Sequence, residues 1–200
     1  DDEGKRLIQR LVEFASEPEV RKRIVFLPNY DIGMAKLLYP GTDVWLNNPL
    51  RPLEACGTSG MKAALNGSLN LSILDGWWAE FYDEENGWAI PSADSAGDGA
   101  ERDKLEADSM YDLIEHQIAP RFYDRGKNGV PTRWVESIRH TLATLSPALS
   151  ADRMVKEYVE RLYMPAAAGE KVVSADGFRP ARELADWKAP LRQSVSTLAA

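Results

Sequence analysis

Short apolar runs alternate with segments of helical spacing between residues 24 and 74, and this alternation constrains the fold more than any other feature. The runs lie at 24–27, 43–46 and 69–74, and the first is bounded by charge before it and by Pro28 after it. Between them, apolar residues recur at helical spacing after Asp31, a predicted N-cap, and again after Thr58. Strand, helix, strand, helix, strand in about 50 residues predicts an α/β fold with a doubly wound parallel sheet.

Both flanks of this region are predicted to be largely helical. Leu7, Ile8 and Leu11 predict an amphipathic helix over 5–15. Residues 76–99 show no regular pattern, and the polar stretch 91–103 is typical of a surface loop. Three further helices are predicted at 104–118, 132–145 and 151–163. Residues 1–165 are therefore assigned to one partial domain, and 166–200 to an extended tail with one short helix at most.

Composition argues against several classes of function. The formal net charge of −7 and the absence of a basic block oppose a non-specific nucleic-acid binder. Cys56 is the single cysteine, so neither an intramolecular disulfide nor a cysteine-based zinc site can form. No apolar run reaches the roughly 20 residues that cross a bilayer, and no signal peptide opens the sequence. These features predict a cytoplasmic protein, and the missing initiator methionine suggests a fragment or a processed chain.

The stretch 54–66, EACGTSGMKAALN, contains a glycine-rich turn that leads into a helix. Such a turn exposes backbone N–H groups at the positive end of the helix dipole, and Thr58 and Ser59 add hydroxyl donors. Lys62 follows within about one turn, and a lysine there can form a Schiff base with an aldehyde cofactor. The residues alone leave three interpretations open, a simple helix cap, an anion cradle or the approach to a reactive lysine, and they favour the cap. Glu54 is equally compatible with a loop charge and with a hydroxyl-binding carboxylate.

Other aromatic and polar residues favour structural roles. Trp77 and Trp78 could stack on a sugar ring, but packing is the more common role of adjacent tryptophans after a strand. The carboxylates between 80 and 85 lack the spacing of a catalytic pair and indicate a solvated loop. His116 and His140 lie within predicted helices without neighbouring ligands, which favours structural histidines. A nucleotide P-loop is excluded because the G-x-x-x-x-G-K-[ST] spacing is absent.

Residues 23–90 resemble the α-glucan (glycogen) phosphorylases at many positions of fixed spacing. The motif of that family runs Glu-Ala-(Ser/Cys)-Gly-Thr, two small residues, Met-Lys, an apolar pair, Leu-Asn-Gly and later Leu-Asp-Gly. The matching residues here are Glu54, Ala55, Gly57, Thr58, Met61, Lys62, Leu65, Asn66, Gly67, Leu74, Asp75 and Gly76. The forms GTSGMK and LDGWW are more similar to the bacterial short type than to the animal glycogen enzymes.

The resemblance implies that Lys62 carries pyridoxal 5′-phosphate. The phosphate of this cofactor would be held at the helix N-terminus by Gly57, Thr58 and Ser59, in agreement with the anion cradle. Tyr30 corresponds to a tyrosine that lies beside the cofactor.

The resemblance also implies a substrate class and a reaction. Glu54 would accept hydrogen bonds from sugar hydroxyls, an orienting role, and it completes the implied catalytic set with Lys62. Cys56 and Gly57 would contact glucose, Cys56 through its backbone N–H. The implied reaction transfers the terminal glucosyl unit of an α-1,4-glucan to inorganic phosphate, with the cofactor phosphate shuttling a proton, and gives α-glucose 1-phosphate. Asp31 stands where many relatives have an arginine, which removes a positive contact.

The resemblance covers only the carboxyl-terminal portion of a phosphorylase, which implies the C-terminal Rossmann-like part of a two-domain, B-type glycosyltransferase fold. The N-terminal domain of the same enzyme would be the missing partner, so the isolated chain is expected to be inactive or very weak. A sheet without its first strands exposes apolar surface, which favours aggregation or association, including a homo-oligomer. Two other classes stay open: a nucleotide-sugar glycosyltransferase, which needs no aldehyde-binding lysine, and a non-catalytic glucan-binding remnant.

Overall fold

The computed structural model describes residues 1–97 and 99–198. Three parallel strands form one sheet: β1 is Val44–Asn47, β2 is Leu69–Ile73 and β3 is Gly87–Ile90. Their order in the sheet is β1, β2, β3. Leu46 pairs with Leu71, and Leu71 pairs with Trp88. Parallel neighbours need crossover connections, and helices occupy those connections here. The predicted α/β fold class with a parallel sheet is confirmed.

Helices make up most of the remaining backbone. In chain order they are α1 Asp2–Ala15, α2 Ile32–Gly41, α3 Thr58–Leu65, α4 Gly76–Phe81, α5 Gly99–Leu113, α6 Ala119–Tyr123, α7 Thr132–Ala148, α8 Ala151–Tyr158 and α9 Met164–Leu198. Two π-helical turns, Ile114–Ile118 and Val159–Tyr163, join α5 to α6 and α8 to α9. The chain divides into two compact units, one ending at Thr141 and the other beginning at Leu142.

No helix within residues 1–97 and 99–198 combines the length and the apolar character that a membrane crossing requires.

Strand β2 lies at the centre of the sheet, and all five of its residues are buried. Leu69, Leu71 and Ile73 point to one face, where they pack with Trp88 of β3 and Trp134 of α7. Burying three aliphatic side chains in this way stabilises the fold by roughly 1.5–3 kcal/mol each. This apolar layer anchors the sheet whose opposite face carries the candidate site.

Helix α3 packs closely on that opposite face of β2. The Asn70 side chain donates from Nδ2 to the carbonyl of Gly60 in α3 at 3.2 Å. A Cβ placed on Gly60 would lie only 2.6 Å from Oδ1 of Asn70, so only glycine permits this approach. Ala63 is fully buried and packs against Tyr39 of α2 and Trp45 of β1. Small residues on α3 therefore bring the helix backbone, and the site at its start, close to the sheet.

Most predicted elements are present close to their predicted bounds. The structure confirms the predicted helices at 5–15, after Asp31, after Thr58, and at 104–118, 132–145 and 151–163. It also confirms the predicted strands at 43–46 and 69–74. The cap at Asp31 is confirmed because its Oδ1 accepts from the N–H of Met34 at 2.8 Å.

The predicted strand at 24–27 is wrong. These four residues adopt no regular secondary structure and are between 43% and 67% exposed. A strand needs a hydrogen-bonding neighbour, and within the described residues β1 pairs only with β2. The apolar run therefore has the composition of a buried strand without the partner that would bury it.

Residues 76–99, predicted to be irregular, contain a helix and a strand, so this prediction is also wrong. Asp75 starts α4 because its Oδ1 accepts from the N–H of Gly76 at 2.9 Å. Trp78 is fully buried, and its Nε1 donates to the carbonyl of Trp88 at 3.3 Å. Strand β3 has only four residues, too few for a period to be read, and it forms because β2 lies beside it. The predicted surface loop 91–103 is shortened because α5 begins at Gly99.

The segment from Met164 to Leu198 is helical, whereas the sequence predicted an extended tail. Helix α9 is interrupted at 175–178, where Asp176 and Phe178 have positive φ. The prediction relied on hydrophobic period, which is weak here, while the many alanine, glutamate, lysine and arginine residues favour helix through intrinsic propensity. The assignment of residues 1–165 to one domain stays a prediction.

Candidate functional site

Gly57 is the N-cap of helix α3, and its left-handed backbone (φ 85°) turns the chain from the loop 48–56 into the helix. The N–H of Gly60 donates to the carbonyl of Gly57 at 3.2 Å, which closes the first turn. The N–H groups of Thr58 and Ser59 precede that bond and have no acceptor within the helix. This end of α3 is therefore suited to bind an anion.

Backbone conformation and close neighbours both favour glycine at position 57. A Cβ placed on Gly57 would lie 2.8 Å from Oε1 of Glu54 and 3.2 Å from Cδ1 of Trp77. An L side chain would also be strained at a φ of 85°. The missing side chain lets the Glu54 carboxylate approach the helix start, although Glu54 itself is only half-buried.

Asp75 fixes the loop that carries Glu54. Its Oδ2 accepts from the N–H of Glu54 at 2.9 Å, while its Oδ1 accepts from the N–H of Gly76 at the same distance. The N–H of Trp77 donates to the carbonyl of Cys56 at 2.8 Å. A Cβ on Gly76, where φ is 52°, would lie 2.5 Å from that carbonyl oxygen. The turn before α4 therefore holds the Glu54 loop against the start of α3.

Lys62 lies at an open cavity of about 600 Å³ between α2 and α3. Its Nζ is 6.0 Å from the centre of the Tyr39 ring, a distance at which a cation is attracted to an aromatic face. Tyr30 and Lys36 line the same cavity. Small-molecule sites occupy roughly 300–1,000 Å³, so the cavity is large enough for a cofactor.

Two tyrosines form one wall of the Lys62 cavity. The hydroxyl oxygens of Tyr30 and Tyr39 are 3.4 Å apart. This hydrogen bond is the largest cause that raises the pKa of Tyr30 above its ordinary value, assisted by burial and by the neighbouring phenol and opposed by the charge of Lys62. Tyr30 is therefore a neutral hydroxyl at pH 7, able to donate or accept beside the lysine amine.

The predicted site residues lie in two places, the Lys62 cavity and the start of α3. Lys62 and Tyr30 meet in the cavity, together with Asp31. The other predicted residues lie at the helix start, and they are Glu54, Cys56, Gly57, Thr58 and Ser59. Trp45 connects the two places, since its Nε1 donates to Oγ of Ser59 at 3.3 Å and its ring centre is 4.8 Å from that of Tyr39.

Sequence reasoning missed several residues that shape the site. Lys36 and Tyr39 line the cavity from α2, and their spacing of three residues already places them on one helix face. Asp75 and Trp77 hold the Glu54 loop from about 20 residues away in sequence, a relation that no local pattern shows. Only the folded chain brings Asp75 and Trp77 to the Glu54 loop.

The two tryptophans and the acidic loop have the structural roles that the sequence favours. Trp77 and Trp78 are 6% and 0% exposed, which confirms packing. The acidic residues at 80 and 83–85 lie at the surface, and Asp83 closes their turn by accepting from the N–H of Asn86 at 3.0 Å. Oδ2 of Asp83 is also 2.7 Å from Nε2 of His140, which ties this turn to α7.

Comparison with known proteins agrees with this geometry. Residues 6–87 match the family described as carbohydrate phosphorylase. The chain is 63% identical over 188 residues, 94% of its length, to the glycogen phosphorylase of Mycobacterium tuberculosis, of which it spans 22%. The chain belongs to the carbohydrate phosphorylase family. The resemblance predicted from the motif residues is thereby confirmed.

Two further phosphorylases show how far the family likeness extends. The chain is 42% identical over 195 residues to the maltodextrin phosphorylase of Thermococcus litoralis, which is 97% of this chain and 23% of that protein. It is 45% identical over 163 residues to the glycogen phosphorylase of Aquifex aeolicus, 82% of this chain and 23% of that protein. The chain thus spans less than a quarter of the length of these relatives.

The residues of this phosphorylase chain fit pyridoxal 5′-phosphate by type and position. Lys62 offers a primary amine at a cavity with an aromatic wall. Thr58 lies four residues earlier on the same helix, about 6 Å along its axis. Long helical side chains lean toward the N-terminus of their helix, so an amine at position 62 and the free N–H groups can reach opposite ends of one small molecule.

Proposed function

We propose that this chain is part of an α-glucan phosphorylase in which Lys62 binds pyridoxal 5′-phosphate. The observation that carries the proposal is the short helix α3, which combines an anion-binding start at Gly57 with the amine of Lys62 beside a cavity of about 600 Å³. The names of the relatives, glycogen and maltodextrin phosphorylase, support this function. The proposed substrates are an α-1,4-glucan and inorganic phosphate, and the product is α-glucose 1-phosphate.

The cofactor contacts follow from α3 and α2. Lys62 binds the aldehyde carbon, and the backbone N–H groups and hydroxyls of Thr58 and Ser59 bind the phosphate. Tyr30 contributes a neutral hydroxyl to the same cavity. When bound, the cofactor supplies a phosphate group that exchanges a proton with inorganic phosphate.

The sugar contacts follow from the loop before α3. Glu54 accepts hydrogen bonds from glucose hydroxyls, and its carboxylate is already close to Gly57, where the anion-binding N–H groups begin. Asp75 keeps Glu54 in this place through the 2.9 Å bond to its backbone N–H. Cys56 is exposed and offers its own N–H to the sugar. Glu54 therefore orients the substrate, and it neither donates a proton nor attacks the sugar.

The remaining groups of the site come from the rest of the enzyme. The chain spans about 22% of the length of its Mycobacterium tuberculosis relative, and the proposed partner is the N-terminal domain of the same enzyme. A sugar held by Glu54 alone would be exposed to water and weakly oriented. We therefore expect the isolated chain to show little or no phosphorolysis.

Reductive labelling tests the cofactor assignment. The chain, incubated with pyridoxal 5′-phosphate and reduced with borohydride, should carry the label on the peptide that contains Lys62. Lys62→Arg should abolish the label, whereas Lys36→Arg should retain it, because Lys36 lines the same cavity from α2. Label on Lys36, or equal labelling of many surface lysines, would contradict the assignment.

A chimaera tests the activity in a complete enzyme. The matching 188 residues of the Mycobacterium tuberculosis glycogen phosphorylase are replaced by this chain, and phosphate-dependent release of glucose 1-phosphate from maltodextrin is measured. The chimaera should be active and should lose activity with Lys62→Arg. Transfer from a nucleotide sugar without phosphate would indicate the glycosyltransferase alternative, and glucan binding without turnover would indicate the non-catalytic one.

A further inference from the structure

A second cavity lies at the amino end of the sheet, away from the candidate site. The parallel strands run toward Asn47, Ile73 and Ile90, so the loop 48–56 that carries Glu54 leaves from their carboxyl ends. Gly87, the first residue of β3, lines the second cavity, which has a volume of about 390 Å³. None of its lining residues lines the Lys62 cavity. The second cavity is therefore a separate place on the molecule.

Positive charge converges on this second cavity. Arg121 of α6 and Arg133 of α7 bring two guanidinium groups. His116 also lines the cavity, from the π-helical turn, and its Nδ1 lies 3.2 Å from Oδ1 of Asp112. Neither arginine takes part in an ion pair within residues 1–97 and 99–198. Glu84 is the carboxylate that lines the cavity, so the charge balance there favours an anion.

Arg121 is held in a fixed orientation by buried neighbours. Its Nη1 donates to Oγ of Ser137 at 3.1 Å, and its guanidinium carbon lies 5.9 Å from the ring centre of Trp88. Ser137 and Trp88 are only 6% and 5% exposed, so both contacts come from side chains that the core keeps in place. A guanidinium has five N–H donors, of which the bond to Ser137 uses one. The others are preorganised to bind an oxyanion.

Aromatic groups supply the apolar part of the same cavity. Trp88 lies beneath Arg121, and Tyr82 lines the cavity beside it. Burial raises the pKa of Tyr82, and the charges of Glu84 and Asp83 act in the same direction, so the Tyr82 hydroxyl is neutral at pH 7. An arginine beside aromatic rings suits a ligand with an oxyanion at one end and an organic group at the other.

We propose that this cavity binds a small phosphate monoester, with the phosphate on Arg121 and Arg133 and the organic part against Tyr82 and Trp88. Planar guanidinium groups bind phosphate through paired N–H bonds, which a lysine cannot reproduce. Glu84 also lines the cavity, and its carboxylate opposes ligands of higher negative charge, so a monoester is favoured over pyrophosphate. The site is independent of the proposed function of Lys62, because the two cavities share no lining residue.

Titration of the intact chain with phenyl phosphate tests the proposal. Isothermal calorimetry should show saturable binding that depends on Arg121 and Arg133, with weaker binding of inorganic phosphate and of pyrophosphate. Arg133→Gln should weaken the binding of phenyl phosphate by at least about tenfold, since a charge-assisted pair is lost. Arg139→Gln is the matched control, because Arg139 is an exposed arginine of the same helix that does not line the cavity. It should bind as the unchanged chain does.

One more variant makes the test decisive. Arg121→Lys keeps the charge and should also weaken binding, because the paired donors are lost. Unchanged binding in Arg133→Gln, equal weakening in Arg139→Gln, or no saturable binding would each overturn the proposal. Arg133 is exposed, so Arg133→Gln should keep the fold, which circular dichroism checks for every variant.

Discussion

At position 57, the absence of a side chain lets Glu54 and Trp77 approach the start of α3. Gly129 also has a positive φ, 77°, but a Cβ there would meet no heavy atom within 4 Å. The two glycines therefore separate two effects of an added methyl group, namely backbone strain and collision. Of these two glycines, only Gly57 would bring an added Cβ close to other side chains, 2.8 Å from Oε1 of Glu54 and 3.2 Å from Cδ1 of Trp77.

Substituting these two glycines should reveal both effects. Gly129→Ala should lower the free energy of unfolding by about 1 kcal/mol, because alanine is strained at positive φ. Gly57→Ala should lower it by about 2 kcal/mol, because crowding against the buried Trp77 ring adds to the strain, while the Glu54 carboxylate can move aside. Urea denaturation measures both values. Equal losses would show that the close approach of Trp77 has no energetic consequence.

Single residues also show how far local sequence could identify the site. The residues at 54–66 favoured a plain helix cap, and the family motif reversed this by matching Lys62 and its neighbours together. The structure adds that Lys62 faces Tyr39 of α2 at 6.0 Å, and that Tyr30 joins them. These contacts depend on how α2 packs on α3, which no pattern within either helix specifies.

At the scale of elements, Asp75 links two structures at once. It caps α4 through the N–H of Gly76 and holds the Glu54 loop through the N–H of Glu54. Asp31 caps α2 through Met34, and within residues 1–97 and 99–198 its side chain holds no loop in this way. The two aspartates thus form a matched pair, one with a single function and one with two.

Alanine substitution of this pair should separate the two functions. Asp31→Ala should cost about 1 kcal/mol of stability, the usual loss for an N-cap. Asp75→Ala should cost about 2 kcal/mol, because the N–H of the partly buried Glu54 is also left without its acceptor. Thermal unfolding gives both values, and hydrogen exchange at Glu54 should rise only in Asp75→Ala. Unchanged exchange at Glu54 would argue against the loop contact.

A second network joins the loop after β1 to the loop after β3. Asp94 accepts from Arg51 at 2.8 Å and pairs with Arg102 at 3.1 Å. The hydroxyl of Ser92 donates to Oδ1 of Asp94 at 2.6 Å. The Ser92 bond is the largest cause that lowers the pKa of Asp94 below 3.8, and the charges of Arg51 and Arg102 act in the same direction against partial burial.

The order of this loop should depend on pH in a defined window. A carboxyl whose pKa is lowered on folding contributes stability above its unfolded pKa and loses that contribution as pH falls through the folded pKa. Carbon chemical shifts should therefore place the Asp94 midpoint below 3.8. Asp94→Asn should speed hydrogen exchange in residues 92–97 already at pH 7. Asp108→Asn is the control, because Asp108 pairs with Lys104 on the exposed face of α5 and does not belong to the Asp94 network.

The elements also show where sequence prediction failed. Residues 24–27 have the composition of a strand but no partner within the described chain, and α9 has helix propensity but little period. Strand β3 has a partner but only four residues. For residues 24–27 and β3 the environment decides, because backbone groups form sheets only where a neighbour supplies the hydrogen bonds. For α9 the intrinsic propensity of its residues is the better guide than hydrophobic period.

At the scale of the whole molecule, apolar side chains remain on the surface. Leu7 and Leu11 on α1 are 52% and 58% exposed, and the run 24–27 is exposed as well. The chain spans less than a quarter of the length of its relatives, and surfaces of this kind are usually covered. The hydrophobic effect therefore favours association of the isolated chain.

Association should respond to polar substitution on α1. The chain alone should self-associate in a concentration-dependent way, and the double variant Leu7→Gln with Leu11→Gln should shift it toward monomer. Leu105→Gln is the control, since Leu105 is 45% exposed on α5, away from the α1 sequence. Analytical ultracentrifugation measures the distribution. An equal shift in both variants would show that the α1 face has no special part in association.

The sequence by itself determined the α/β class, most helices, two strands and the motif that places the chain among the phosphorylases. Those features are local, because helix caps, apolar runs and motif residues lie within a few positions of one another. Only the tertiary structure decided that β3 completes the sheet, that 24–27 stays unpaired, that Asp75 holds the Glu54 loop, and that Arg121 faces a second cavity. Each of these depends on contacts between distant segments, where burial and hydrogen-bond partners outweigh local propensity.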